Sequence, residues 1–182
     1  MKKSTLRAIA SLGIVLGTIL GGCSGPQGGS LMKAGTEPDS DFGATIPGMA
    51  NGQSITFGFI PLCVIDGKQV TILSASFDEA TNLEVVDFAV NRPPFGDTTF
   101  GADKVSLAEA GFDSTQREVD STCPTDGDHL GLELRRGRDP ETGRGDRLVL
   151  TYVGDGKEAS LEIPFFVVLC APSDESRDCV RG

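Results

Sequence analysis

The sequence contains no tryptophan, a single tyrosine (Tyr152) and a single histidine (His129), and these scarcities narrow the chemistry open to it. Serine-type hydrolysis needs a base beside its serine, and that base is usually histidine. His129 stands in Asp126-Gly127-Asp128-His129, ahead of an apolar alternation, and no Gly-x-Ser-x-Gly elbow occurs anywhere. It therefore reads as an exposed loop histidine. No Cys-x-x-Cys pair and no His-Glu-x-x-His is present, so a zinc site lacks ligands. Gly67-Lys68 and Gly156-Lys157 lack both the upstream glycine of a Walker loop and the Ser or Thr after the lysine, and they read as exposed turns rather than phosphate cradles. No cofactor is expected.

Positive charge is also short: 16 Lys and Arg face 26 Asp and Glu, for a formal net charge of -10. Affinity for nucleic acid comes chiefly from Lys and Arg displacing counterions, so nucleic acid is excluded as a partner, and anionic head groups are disfavoured for the same reason. Acidic charge of this size keeps an exported protein soluble.

The amino terminus carries Lys2, Lys3 and Arg7, followed by an uncharged run at 8–20. That run has 13 residues, too short for a spanning helix, which needs about 20. The order of charged and apolar regions is that of a secretory signal. Leu20-Gly21-Gly22-Cys23 comes next. This stretch resembles the lipobox of bacterial lipoproteins, an aliphatic residue and two small ones before a cysteine that is diacylated before cleavage ahead of it. The resemblance implies a signal peptide at 1–22, lipid on Cys23, and a mature chain exported and held to the cell membrane on its extracytoplasmic side. Loss of the signal removes three positive charges, takes the formal charge from -10 to -13 and leaves 160 residues, a single-domain length. Setting Cys23 aside leaves Cys63, Cys123, Cys170 and Cys179, an even set suited to pairing in an oxidising compartment.

Residues 23–51 are rich in Gly, Pro, Ser and Asp without apolar periodicity and read as a flexible tether, which leaves 52–182 as the folded domain. Short β-branched or aromatic segments separated by turn residues predict strands at 55–65, 69–77, 83–90, 130–134, 148–153 and 160–169, with a brief one at 117–122. Asp66-Gly67 and the 154–157 stretch suit tight hairpin turns. Pro164 cannot donate a ladder bond and should sit at an edge or bulge, and 103–110 suits one short helix or helical turn. The outer face of the 130–134 strand should be wet. About seven strands without crossover helices predict an all-β fold, an antiparallel immunoglobulin-like β-sandwich. In outline the chain resembles small secreted lipoproteins of actinobacteria, with a Cys near the first strand, a Cys before a middle strand and a last strand ending in Leu-Cys. That resemblance implies no particular activity.

The four cysteines allow three connectivities. If the first strand runs parallel beside the last, Cys63 pairs with Cys170 and Cys123 with Cys179, and the long 63–170 loop would contribute about 4–5 kcal/mol in the chain-entropy model. The competing scheme joins Cys170 to Cys179 across a short loop and Cys63 to Cys123. Asp126, Asp128, Asp139 and Asp146 are the candidates for calcium, which accepts oxygens from irregular loops, although no twelve-residue calcium loop is present. Arg144-Gly145-Asp146 resembles the tripeptide of integrin-binding loops, but a three-residue match arises by chance in many proteins and a Gly-Asp turn before a strand accounts for it fully.

The expected function is a non-catalytic, envelope-anchored binding or structural module, its loops meeting an envelope protein, a glycan or a wall component. The alternatives are a calcium-dependent binding module and a hydrolase using carboxylates such as Glu133 with Asp126 or Asp128. Metabolic labelling with a fatty-acid analogue should mark the wild type and leave Cys23→Ser unmarked; equal labelling of both refutes the lipid anchor.

Overall fold

The computed structural model describes residues 30–35, 42–95, 101–124 and 127–180. The signal at 1–22, Cys23 and Asp126 lie outside the described residues. The described residues contain eleven strands: β1 Met32–Ala34, β2 Phe42–Ile46, β3 Ser54–Val64, β4 Val70–Thr81, β5 Leu83–Asn91, β6 Ala102–Asp103, β7 Glu118–Val119, β8 Asp128–Arg136, β9 Gly143–Gly154, β10 Lys157–Ile163 and β11 Phe165–Leu169. They form two sheets packed as a sandwich. The first has the order β1-β3-β8-β5 with β6 added on β3, and the second has the order β2-β11-β9-β4-β7 with β10 added on β9.

Period-two alternation drives the packing. Leu130, Leu132 and Leu134 of β8 turn inward and are fully buried, as are Leu148, Leu150 and Tyr152 of β9 and Phe165, Val167 and Leu169 of β11. Phe165 sits among Phe42, Phe57, Phe59 and Phe77, with ring centroids 4.9–6.3 Å away. Strands β10 and β11 are one long strand interrupted at Pro164. The pairing with β9 slips by one residue between Ile163↔Leu148 and Val167↔Gly145, so the proline falls at a bulge as its missing donor requires.

The outer face of the first sheet is not wet as expected. Residues 104–112, which follow β6, lie across it. Within them Ser106 and Glu109 form a capping box, with Ser106 Oγ and N donating to Glu109 Oε2 at 2.8 and 2.9 Å and Glu109 N donating back to Ser106 Oγ at 3.3 Å. The Ala110 N–H donates to the Ser106 carbonyl at 3.0 Å and closes a helical turn. This turn buries Leu107, Ala110 and Phe112 against Ala89. The Phe112 ring occupies the space beside Gly131, where a Cβ would come within 2.5 Å of it, so position 131 of β8 has to lack a side chain.

Three further expectations are corrected. The folded part begins before residue 52: β1 and β2 fall inside the stretch read as a tether, and Met32 and Met49 are fully buried. Apolar residues spaced too sparsely to show a period are recruited one by one, β1 onto the end of β3 and β2 as a parallel partner of β11. Asp66 and Gly67 do take the positive φ expected of them, 63° and 66°, but they form no hairpin. Strand β3 belongs to the first sheet and β4 to the second, so the turn crosses the sandwich. The disulfides are Cys63–Cys123 and Cys170–Cys179, the competing scheme. The strand parallel to the last one is β2 rather than β3, so Cys63 lies at one end of the sandwich and Cys170 beyond the other.

Arg136 closes that other end. Alternation puts it on the core face after Leu130, Leu132 and Leu134, and it is only 1% exposed. Its Nε donates to the Met49 carbonyl at 2.9 Å, Nη1 to the carbonyls of Asp139 (2.9 Å) and Glu141, and Nη2 to Asn51 Oδ1. Arg136→Met would leave the buried Met49 carbonyl and three part-buried acceptors without their donor, so urea unfolding should show a loss of about 2–4 kcal/mol; an unchanged midpoint refutes the clasp.

Candidate functional site

The strand directions give the sandwich two distinct ends. At one, β1 pairs with the last residues of β3, and Ser30 Oγ and the Leu31 N–H lie 3.1 and 3.2 Å from the Tyr152 hydroxyl. The 154–157 turn and the Cys63–Cys123 bridge belong to this end. Lys68 Nζ meets Asp155 Oδ2 at 2.5 Å here, which raises the lysine's pKa. Both lysine-bearing dipeptides are exposed, the one at 67–68 in the turn after β3 and the one at 156–157 where the hairpin turn opens β10.

The opposite end gathers Arg136, the Asn82 corner between β4 and β5, the 137–142 loop and the Cys170–Cys179 bridge. Asn82 (φ 50°) turns the chain from one sheet to the other. Its Nδ2 donates to the Asp139 carbonyl at 3.2 Å, and its own carbonyl accepts from the Gly137 N–H at 2.8 Å. Thr142 Oγ1 accepts from the Ala171 N–H at 3.1 Å and donates to Asp174 Oδ2. That bond, with those from Ser176, lowers the Asp174 pKa to about 2.

Three hollows open at this end. One of about 500 Å³ lies between Gly52, Ser54, Glu84, Arg135, Arg136 and Arg138. A second, of about 400 Å³, lies beside Thr81, Thr142, Arg144 and Asp174. The third, of about 470 Å³, lies on the outer face of the second sheet between Thr45, Arg144, Asp146, Phe166 and the short helix α1 (Arg177–Val180), contributing Arg177 and Asp178. A smaller hollow of about 240 Å³ adjoins it across Asp146 and Phe166. Phe166 is 37% exposed, and its ring leans over Gly43, where a Cβ would lie 2.5 Å from its Cγ. Among the described residues no segment is layered over this face of the second sheet as one is over the first, and α1, pinned by Cys170–Cys179, borders it.

The three calcium candidates within the described residues, Asp128, Asp139 and Asp146, are not brought together. Asp128 is fully buried, and its carboxylate accepts from the N–H groups of Asp120 (2.8 Å) and Ser121 (3.1 Å) and from Ser121 Oγ (2.8 Å), so it anchors the chain leading to Cys123. Asp139 is exposed beyond the other end of β8, and Asp146 projects from β9. Among the described residues no three His, Cys, Asp or Glu side chains converge on a common point. Glu133 accepts from the Leu107 N–H at 3.1 Å on the outer face of β8, while Asp128 faces the core, so the sheet separates these two carboxylates. His129 lies within β8 rather than in the loop ahead of it, half-buried with its ring 4.4 Å from that of Phe95. Arg144-Gly145-Asp146 is held in the ladder of β9, with Gly145 buried. It therefore forms neither the turn expected before a strand nor a protruding recognition loop.

Arg135, Arg136 and Arg138 were missed in reading the sequence, although the alternation of β8 continued to Arg136 and three arginines in four positions stand out in an acidic chain. No protein-family model matches the chain, and no curated protein matches it. Among solved structures, that of a Vibrio cholerae protease, VesB, aligns at 10% identity with a TM-score of 0.38, covering 78% of this chain. The chain spans 32% of that structure's length, and a likeness at this level carries no argument.

Asp174 sets a pH dependence. Its folded pKa lies below the ordinary 3.8, so it contributes stability that is present above pH 3.8 and lost as pH falls through about 2. Acid unfolding of Asp174→Asn should therefore be shallower than wild type across that window; identical slopes refute the role of the Thr142 bond.

Proposed function

We propose that the protein is an exported lipoprotein, held to the cell membrane through Cys23, whose β-sandwich is a non-catalytic binding module. The observation that carries this reading is the separation of the two ends. The chain enters the sandwich at Ser30–Met32, on the Tyr152 end, and the hollows lie around Arg136 and the second sheet's outer face. A nine-residue strand such as β8 separates the ends by about 30 Å at roughly 3.3 Å per residue.

From Cys23 to Ser30, the first described residue, the chain takes seven steps and reaches at most about 25 Å when fully extended. The lipid would thus hold the Tyr152 end toward the membrane and turn the Arg136 end outward. Two disulfides within the folded part suit an extracytoplasmic setting. The partner is read as an envelope protein, a glycan or a wall component.

The carboxylate-hydrolase reading has less support. Hollows that hold two acids, Asp146 with Asp178 or Glu141 with Asp174, also hold Arg144. The Asp174 pKa is moreover lowered, the reverse of what a general acid needs.

Photo-crosslinking from single sites on the membrane-bound full chain tests the binding module. A crosslinker at Arg138 or Phe166 should capture an envelope component, and one at Lys157 or Asp155 should not; capture from the Lys157 end alone overturns the proposed orientation.

A further inference from the structure

We propose that the hollow beside Arg136 is an oxyanion site, taking a phosphate, sulfate or carboxylate group between Arg135 and Arg138. It names a ligand chemistry for the end assigned to binding above and rests on that reading for its biological role. The starting point is an electrostatic anomaly. A guanidinium stays charged at every pH a protein meets, and buried charges are ordinarily paired with an opposite charge. Arg136 is buried, yet its donors go to three backbone carbonyls and one side-chain amide oxygen. Those oxygens satisfy the donors without cancelling the charge. Among the described residues no carboxylate comes within ion-pair distance of it.

Two further arginines stand at the mouth. Arg138 is exposed and makes no ion pair among the described residues. Arg135 holds Glu84 at 3.6 Å and places its Nε 3.5 Å from Ser54 Oγ, both longer than the roughly 2.7–2.9 Å of a strong charge-assisted bond. The Glu84 side chain is 64% exposed and can swing into solvent as an anion arrives. Three of the chain's ten arginines thus converge within four positions of a protein whose net charge is -10. A hollow of about 500 Å³ admits such a group with part of the molecule that carries it. Planar guanidinium forks match the oxygens of phosphate and carboxylate, and three arginines against the single carboxylate of Glu84 leave the lining of the hollow net positive, which favours an arriving anion.

Thermal unfolding of the full chain at constant ionic strength is the test, with chloride replaced stepwise by phosphate, sulfate or acetate. The melting temperature should rise saturably with at least one oxyanion. Arg135→Gln/Arg138→Gln should abolish the rise, and Lys157→Gln, at the other end, should keep it. No saturable rise in the wild type, or an equal rise in the double variant, overturns the site and reduces the effect to an adventitious ion only. A second measurement needs no variant: titrating phosphate into the wild type should shift the amide resonances of Gly52 and Gly137, and shifts confined to other regions also overturn the site. Preference for phosphate or sulfate over acetate assigns the ligand to a phosphorylated or sulfated molecule, and preference for acetate assigns it to an acidic peptide or chain terminus. Both support the site. The measurement uses no partner, so it can succeed where crosslink capture fails, and the two readings fail separately.

Discussion

The structure depends on one buried cation. Arg136 draws the 49–51 stretch, the 139–141 loop and the end of β8 onto a single planar group, at the point where Asn82 carries the chain from one sheet into the other. Two sheets packed face to face can slide or splay at their ends, because apolar contact is non-directional. A guanidinium with its donors fixed in a plane is directional, and it specifies how those loops meet. Taking it out of water is costly, and that cost is offset by the hydrogen bonds and by the leucine and aromatic packing behind it. The hollow at its side and the Thr142–Asp174 contact nearby both rest on loops whose course Arg136 sets.

Much of the sandwich was legible because alternation of apolar residues reports the face directly. Leu130, Leu132 and Leu134 point inward as their spacing demands, and the interruption at Pro164 follows from its missing N–H. What alternation cannot report is which strand lies beside which. Asp66-Gly67 has the backbone of a tight turn, and the same dihedrals serve a hairpin or a crossing between sheets; the difference is decided by packing far from the turn. The disulfide expectation went astray for the same reason, since it needed the neighbour of β11, and that neighbour is the five-residue β2, too short and too rich in small residues to register as a strand. The candidate site was less legible still. Acidic residues in turns drew attention as calcium ligands, while the arginines that line the hollow sat in a stretch read only for its leucines.

The two outer faces of the sandwich have unequal fates. One is sealed by the 104–112 segment, whose Phe112 packs down onto Gly131. The other keeps Phe166 partly in solvent with Arg144, Asp146 and Asp178 around it. Among the described residues one sheet is covered and the other is not, which confines the places where a partner can meet apolar surface. The Arg136 end and the Phe166 face adjoin through Arg144, which borders both neighbouring hollows, so a large ligand could contact the two together.

The parallel pairing of β2 with β11, and the antiparallel pairing of β1 with β3, have a mechanical consequence. Both β1 and β2 run away from the Tyr152 end, with their amino-terminal residues nearest to it. A chain anchored ahead of Ser30 and drawn taut by a partner at the far end would pull each strand along its own axis. Antiparallel ladder bonds lie across that axis, so in β1 the tension falls on several bonds at once as shear, and the parallel ladder of β2 likewise resists as a set. A hairpin pulled open from its free ends gives way one bond at a time. The route by which the chain enters this fold is thus the one that resists tension best.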